Sequence, residues 1–163
     1  MKPKCTIIVL FLALIILFSS GCRSEQEEFS LIGSWTYMRD LTEEELQINQ
    51  DSQSSVYKAI SGIVYIYKFE EDGTYSEEWH YIDKYGNLVT GSEEDTLGDE
   101  YEGTYTLDGD QLTLTEINPY IQISYVYELK PEGTSFMTWT PVMVNDKPYT
   151  KKTDPIRFER IND

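Results

Sequence analysis

Apolar and polar positions alternate along most of the chain, and that alternation predicts a succession of strands. In Leu31–Arg39 it places Trp35 and Tyr37 on one face and Ser34 and Thr36 on the other. We read this stretch as the first strand of a closed barrel, with Gly33 letting the backbone bend at the entry and Trp35 plugging the floor. The period then lapses. Asp40-Leu41-Thr42-Glu43-Glu44-Glu45-Leu46 has Thr42 placed to cap a helix and Glu45 three residues later to complete a capping box, with acids in the first turn. Gln47–Ser55 is polar and irregular, and Val56, Tyr57 and Ile60 share a helical face before Gly62. A weak helical segment therefore separates the first strand from the second.

From Gly62 the period returns to two. Ile63, Tyr65, Tyr67 and Phe69 share one face, and the turn Glu71-Asp72-Gly73 leads into Thr74–Asp83. There Tyr75, Glu77, Trp79 and Tyr81 alternate with Ser76, Glu78, His80 and Ile82. Lys84-Tyr85-Gly86-Asn87 predicts a turn, Leu88-Val89-Thr90 a short strand, and Ser92–Glu100 an acidic loop. Tyr101–Leu107 and Gln111–Ile117 are joined by Asp108-Gly109-Asp110, whose Asp-Gly step suits the positive φ of a tight hairpin. After the break at Asn118-Pro119, Tyr120–Lys130 sets Ile121, Ile123, Tyr125, Tyr127 and Leu129 on one face. Pro131-Glu132-Gly133 leads to Thr134–Val144, and a polar loop, Asn145–Asp154, precedes a closing strand at Pro155–Ile161. Eight or nine antiparallel strands at hairpin spacing, with no long helix, predict an all-β barrel or sandwich.

The first residues follow a different pattern. Met1-Lys2-Pro3-Lys4 is a basic head, and Cys5–Phe18 is apolar except for Thr6, a secretory h-region shorter than the roughly 20 residues of a spanning helix. Phe18-Ser19-Ser20-Gly21-Cys22 closes it with small residues and a cysteine. Residues 2–22 resemble the lipobox of bacterial lipoproteins, which implies cleavage before Cys22 after its thiol has received a diacylglyceryl group. An uncleaved N-terminal anchor and ordinary cleavage with a free Cys22 are the alternatives. Cysteine usage agrees with the lipobox. Of the two cysteines, Cys5 leaves with the signal peptide and Cys22 is acylated, so the mature domain has no disulfide and no thiol nucleophile. The chain thus divides into a signal peptide, 1–21, a tether after Cys22, 22–30, and one domain, 31–163. Arg23-Ser24-Glu25-Gln26-Glu27-Glu28 is too charged to pack. An acidic cluster at this place is similar to the surface-display signal of Bacteroidota lipoproteins. A plain spacer is the alternative, so the outer-membrane location can be periplasmic or surface-exposed.

Charge narrows the partners. The full chain carries −16, and removing Lys2 and Lys4 takes the basic count from 13 to 11 against 29 acids, hence −18. Such a surface repels nucleic acid and anionic headgroups and suits a domain held off a membrane by a tether. Thirteen tyrosines and three tryptophans against six phenylalanines point to half-wet aromatic surfaces, since a tyrosine ring packs while its hydroxyl seeks a polar partner.

Gly33-Ser34-Trp35, then a helical segment, then Phe69-Glu70-Glu71-Asp72-Gly73-Thr74-Tyr75, then Gly103-Thr104-Tyr105-Thr106-Leu107-Asp108-Gly109-Asp110-Gln111-Leu112-Thr113-Leu114 follow one another in order. Together, across residues 31–161, they resemble the lipocalin-like domains of Bacteroidota lipoproteins. The resemblance implies an up-and-down barrel with a cavity for a small apolar ligand, covered in part by residues 41–61. It also implies an arginine near the last strand packed over Trp35. Arg160 or Arg157 fits, and the parity of Ile156 and Phe158 favours Arg160.

Two function classes stay open. For ligand carriage, Tyr65, Tyr67, Tyr75, Trp79, Tyr81, Tyr105, Tyr125, Tyr127 and Trp139 can face the interior, where they either line a pocket or fill it. Glu77 shares their parity and can meet a ligand's polar end or pair with a Lys or Arg. The other class is an interaction module with a solid barrel touching an envelope protein. Catalysis has little footing: the single histidine, His80, has the parity of Ser76 and Glu78, which predicts exposure, and no thiol remains. No cofactor is expected. Glu93-Glu94-Asp95 and Asp99-Glu100 can offer oxygen ligands to Ca²⁺ but lack the spacing and glycine of an EF-hand loop.

Overall fold

The computed structural model describes residues 29–90, 98–117 and 122–161. The signal peptide, Cys22 and most of the tether lie outside those residues, as do Glu93, Glu94, Asp95 and Ile121. The strands are β1 (Gly33–Asp40), β2 (Ile60–Phe69), β3 (Thr74–Asp83), β4 (Gly98–Asp108), β5 (Gln111–Glu116), β6 (Ile123–Glu132), β7 (Phe136–Val144), β8 (Lys147–Pro148) and β9 (Ile156–Arg160). Each of β1 to β7 pairs antiparallel with the next, and β9 pairs with both β7 and β1, so eight strands close an up-and-down barrel. The two-residue β8 is an extra flap on β7 alone.

Register decides which side chains meet. Directly opposed residues of an antiparallel ladder point to the same face. The inward set therefore runs from Trp35 to Tyr67, Tyr67 to Glu77, and Glu77 to Tyr101. It continues through Tyr105 to Leu114, Leu114 to Tyr125, Leu129 to Trp139, and Trp139 to Ile156. Arg160 opposite Trp35 completes the circuit.

At the lower end the interior is solid. Trp35, Phe69, Leu112, Met137, Trp139 and Phe158 are fully buried. Trp139 and Phe158 lie 4.1 Å apart between ring centroids. The Trp35 indole N–H donates to the Leu31 carbonyl at 2.8 Å. The Arg160 guanidinium stands 4.8 Å above the indole and donates to the Ile32 carbonyl at 2.7 Å. Gly33 takes φ +115, a conformation L side chains rarely adopt, and this bend sends the chain out past Arg160.

The upper end is covered by two short helices between β1 and β2, α1 (Glu43–Asp51) and α2 (Ser55–Ala59). Thr42 and Glu45 form the reciprocal capping box at the start of α1. Arg39 at the end of β1 grips the same Glu45 with both guanidinium nitrogens at 2.9 Å, and this holds the carboxyl down to about 2. Leu46 and Val56 pack down onto a second apolar cluster of Leu41, Ile60, Ile63 and Val89.

Four local expectations change. The acidic loop expected at Ser92–Glu100 ends earlier, because β4 starts at Gly98 and pairs with β3 from His80 onward. Leu88–Thr90 forms isolated bridges, one of them Ile82 to Leu88, in place of a strand, after Asp83 turns the chain by accepting the amides of Tyr85 and Asn87. The loop expected over Asn145–Asp154 contains β8, made possible by positive φ at Asn145 and Asp146. His80 is half-buried rather than exposed, because Gly98 of β4 lies against it: a Cβ there would come 2.7 Å from the imidazole Nδ1.

Candidate ligand cavity

Above the solid floor, on the side of β3 to β6, the barrel interior opens into a cavity of about 550 Å³. Tyr67 forms the boundary. Its ring stands edge-on to Trp139 at 5.0 Å and to Phe158 at 5.5 Å on the filled side, and stacks on Tyr75 at 6.3 Å on the open side. The walls come from four strands in succession. β3 brings Tyr75 and Glu77, β4 brings Tyr101, β5 brings Leu114 and Glu116, and β6 brings Tyr125 and Tyr127.

The residues between these positions explain the free volume. Gly103, opposite Tyr75, has no side chain to offer the interior, and the Tyr75 ring lies across it: a Cβ at 103 would come 2.4 Å from that ring. A tyrosine packed over an inward glycine closes the wall and leaves the centre free.

The chemistry of the lining is polar at its tips and aromatic at its faces. Burial pushes the Glu77 carboxyl up, opposed by its bond with the Tyr67 hydroxyl and reinforced by the negative charge of Glu116. Tyr67, Tyr75 and Tyr127 are pushed up strongly by burial, with Glu77 adding to each, and Tyr125 more modestly. These phenols stay protonated at neutral pH and remain hydrogen-bond donors. The pairing of Glu77 with a Lys or Arg, one of the two sequence-based readings, is not found among the described residues. Among the described residues no cation lines the cavity, and the two inward arginines are used elsewhere, Arg39 on Glu45 and Arg160 over Trp35.

Of the interior positions expected from parity, Tyr67, Tyr75, Glu77, Tyr125 and Tyr127 come together here. The others lie elsewhere. Tyr65, Trp79 and Tyr81 pack against the upper cluster beneath the helices. Trp139 belongs to the filled half. Tyr105 meets Phe69 edge-on at 5.0 Å, and its hydroxyl donates to the Glu70 carbonyl at 2.8 Å near the floor. Sequence reading missed Tyr101, Leu114 and Glu116. Their signal was the same parity, because Tyr101 lies two residues from the inward Gly103, Leu114 two from Leu112 and Glu116 two from Leu114, but Tyr101 and Glu116 sit near segments that are acidic or broken. Among the described residues no group of three or more His, Cys, Asp and Glu side chains is placed to hold a metal ion.

A pH prediction follows from Glu77. Its pKa is raised in the folded state, so the folded protein holds this proton more tightly than the unfolded chain. That contribution to stability is complete below the ordinary glutamate value of about 4.3 and is lost as pH rises through the folded value. Glu77→Gln is therefore expected to melt a few degrees above the native protein at about pH 8, with the gap closing by about pH 4. Paired thermal melts at the two pH values check it. A native protein more stable than the variant at the higher pH would contradict it.

Compared with known protein families, curated proteins and solved structures, the chain matches none. The functional reading therefore rests on its own residues and geometry.

Proposed function

We propose that this protein is a lipid-anchored lipoprotein of the cell envelope whose lipocalin-like barrel holds a small molecule in the tyrosine-lined cavity. The observation that carries the reading is the free volume. About 550 Å³ falls within the roughly 300–1,000 Å³ of typical ligand pockets. The half-buried carboxylate of Glu77, with no cation beside it among the described residues, supports it, since a carboxyl pushed up by desolvation in a cleft marks a candidate site. The anchor is argued from residues 1–22: basic head, apolar run, small residues, Cys22. Cys22 would place the barrel at the outer membrane, on a tether of acids. No catalytic role is proposed.

The test is native mass spectrometry of the full-length protein released from its own membranes. The expected result is one recurrent small molecule that leaves on denaturation. Repeated preparations with no bound molecule would favour the alternative of a protein-interaction module in the envelope.

A further inference from the structure

We infer that the cavity takes a small organic cation, a protonated amine on an aromatic or short aliphatic body, with Glu77 and Glu116 as counter-ions and the tyrosine rings around its carbon frame. The inference rests on the small-molecule reading above and narrows it to a charged class, in place of the apolar ligand that the family resemblance implies.

Three features of the lining carry it. The first is charge sign. Two carboxylates, from β3 and β5, face one space, and no Lys, Arg or His among the described residues shares it. An anionic ligand such as a fatty acid would add a third negative group to a half-buried site, where like charges cost several times what they do in water. A purely apolar ligand would have to desolvate both carboxylates without replacing their solvation. A cation satisfies both. The second is the aromatic lining. Tyr75, Tyr101, Tyr125 and Tyr127 present ring faces and edges, and an ammonium over a tyrosine face gains cation–π attraction that grows as water is excluded. The phenol hydroxyls suit a ligand that also carries an acceptor. The third is size. A volume of about 550 Å³ is far larger than a metal ion needs, and two carboxylates fall short of the six to eight oxygens that calcium takes. An organic ammonium fills the volume with carbon and presents its charge at one end. The protein's formal charge of −16 acts in the same direction over longer range, concentrating cations near the mouth.

The experiment uses the full-length protein in nanodiscs of zwitterionic phosphatidylcholine, with empty nanodiscs as the blank. Three probes share one carbon frame: 2-phenylethylamine, 2-phenylethanol and phenylacetate. Affinity is read by calorimetry at neutral pH. The amine is expected to bind at least tenfold tighter than the alcohol, and the carboxylate not measurably. Glu77→Gln and Glu116→Gln, tested separately and shown by circular dichroism to be folded, are each expected to lower amine affinity about tenfold. An amine bound no better than the alcohol, or an amine affinity unchanged in both variants, overturns the cationic class and leaves small-molecule carriage standing. No binding of any of the three overturns both.

Discussion

Trp35→Ala is expected to lower the unfolding free energy by about 3–5 kcal/mol, the range for truncating a large buried aromatic. The indole is completely buried at the solid end of the barrel and loses three separate contacts on truncation. Its N–H bond to Leu31 fixes the chain entering β1, its ring meets Phe29 at 5.7 Å, and its face carries the Arg160 guanidinium. The last contact raises the effect toward the upper part of the range. Arg160 Nε is buried without a hydrogen-bond partner among the described residues, so the indole face is what covers that part of the guanidinium. Urea denaturation followed by circular dichroism measures the loss. A value below about 1 kcal/mol would show that the barrel does not depend on this ring.

Cys22→Ala is expected to move the protein from the membrane fraction to the soluble fraction almost completely. Each methylene buried in the bilayer contributes about 0.8 kcal/mol, so several acyl chains on Cys22 would hold the protein by tens of kcal/mol. The polar residues after Cys22 do not replace them. The formal charge of −16, or −18 after signal cleavage, is repelled by anionic headgroups, and the tether 23–28 carries three acids against one arginine. Fractionation with a high-salt wash checks it, with Cys5→Ala as a control expected to stay with the membranes because Cys5 lies within the signal peptide. Continued sedimentation of Cys22→Ala in high salt would defeat the lipoprotein reading.

The two largest effects thus sit at opposite ends of one device. On the proposed reading, Cys22 would tie the chain to a membrane, while Trp35 closes the floor of the barrel. The cavity adjoins the filled half on the side of β3 to β6, and Glu77 and Glu116 face it with no cation beside them among the described residues.

Much of this was legible in the residue order. Period-two alternation from Ile63 to Phe69 and from Tyr75 to Tyr81 predicts paired strands, Asp108-Gly109 predicts their tightest hairpin, and Thr42 with Glu45 predicts the start of the helical cover. These are local properties: φ/ψ preference, capping and parity act within a few residues and need no tertiary context. Parity also marks an inner face, which is why Tyr67, Tyr75, Glu77, Tyr125 and Tyr127 could be named as facing inward. What it cannot do is assign height along the barrel. Tyr65 and Tyr67 have the same parity, yet one packs beneath the helices and the other borders the cavity. That difference comes from the stagger between strands and from closure of β9 onto β1, which set residues distant in sequence at one level. Likewise only the closed register brings Glu77 opposite Tyr101 and near Glu116, with both arginines occupied elsewhere. The residue order determined the strands, their inward faces and the anchor motif; tertiary closure decided which inward residues fill space and which enclose it, because packing is settled by three-dimensional neighbours and not by alternation.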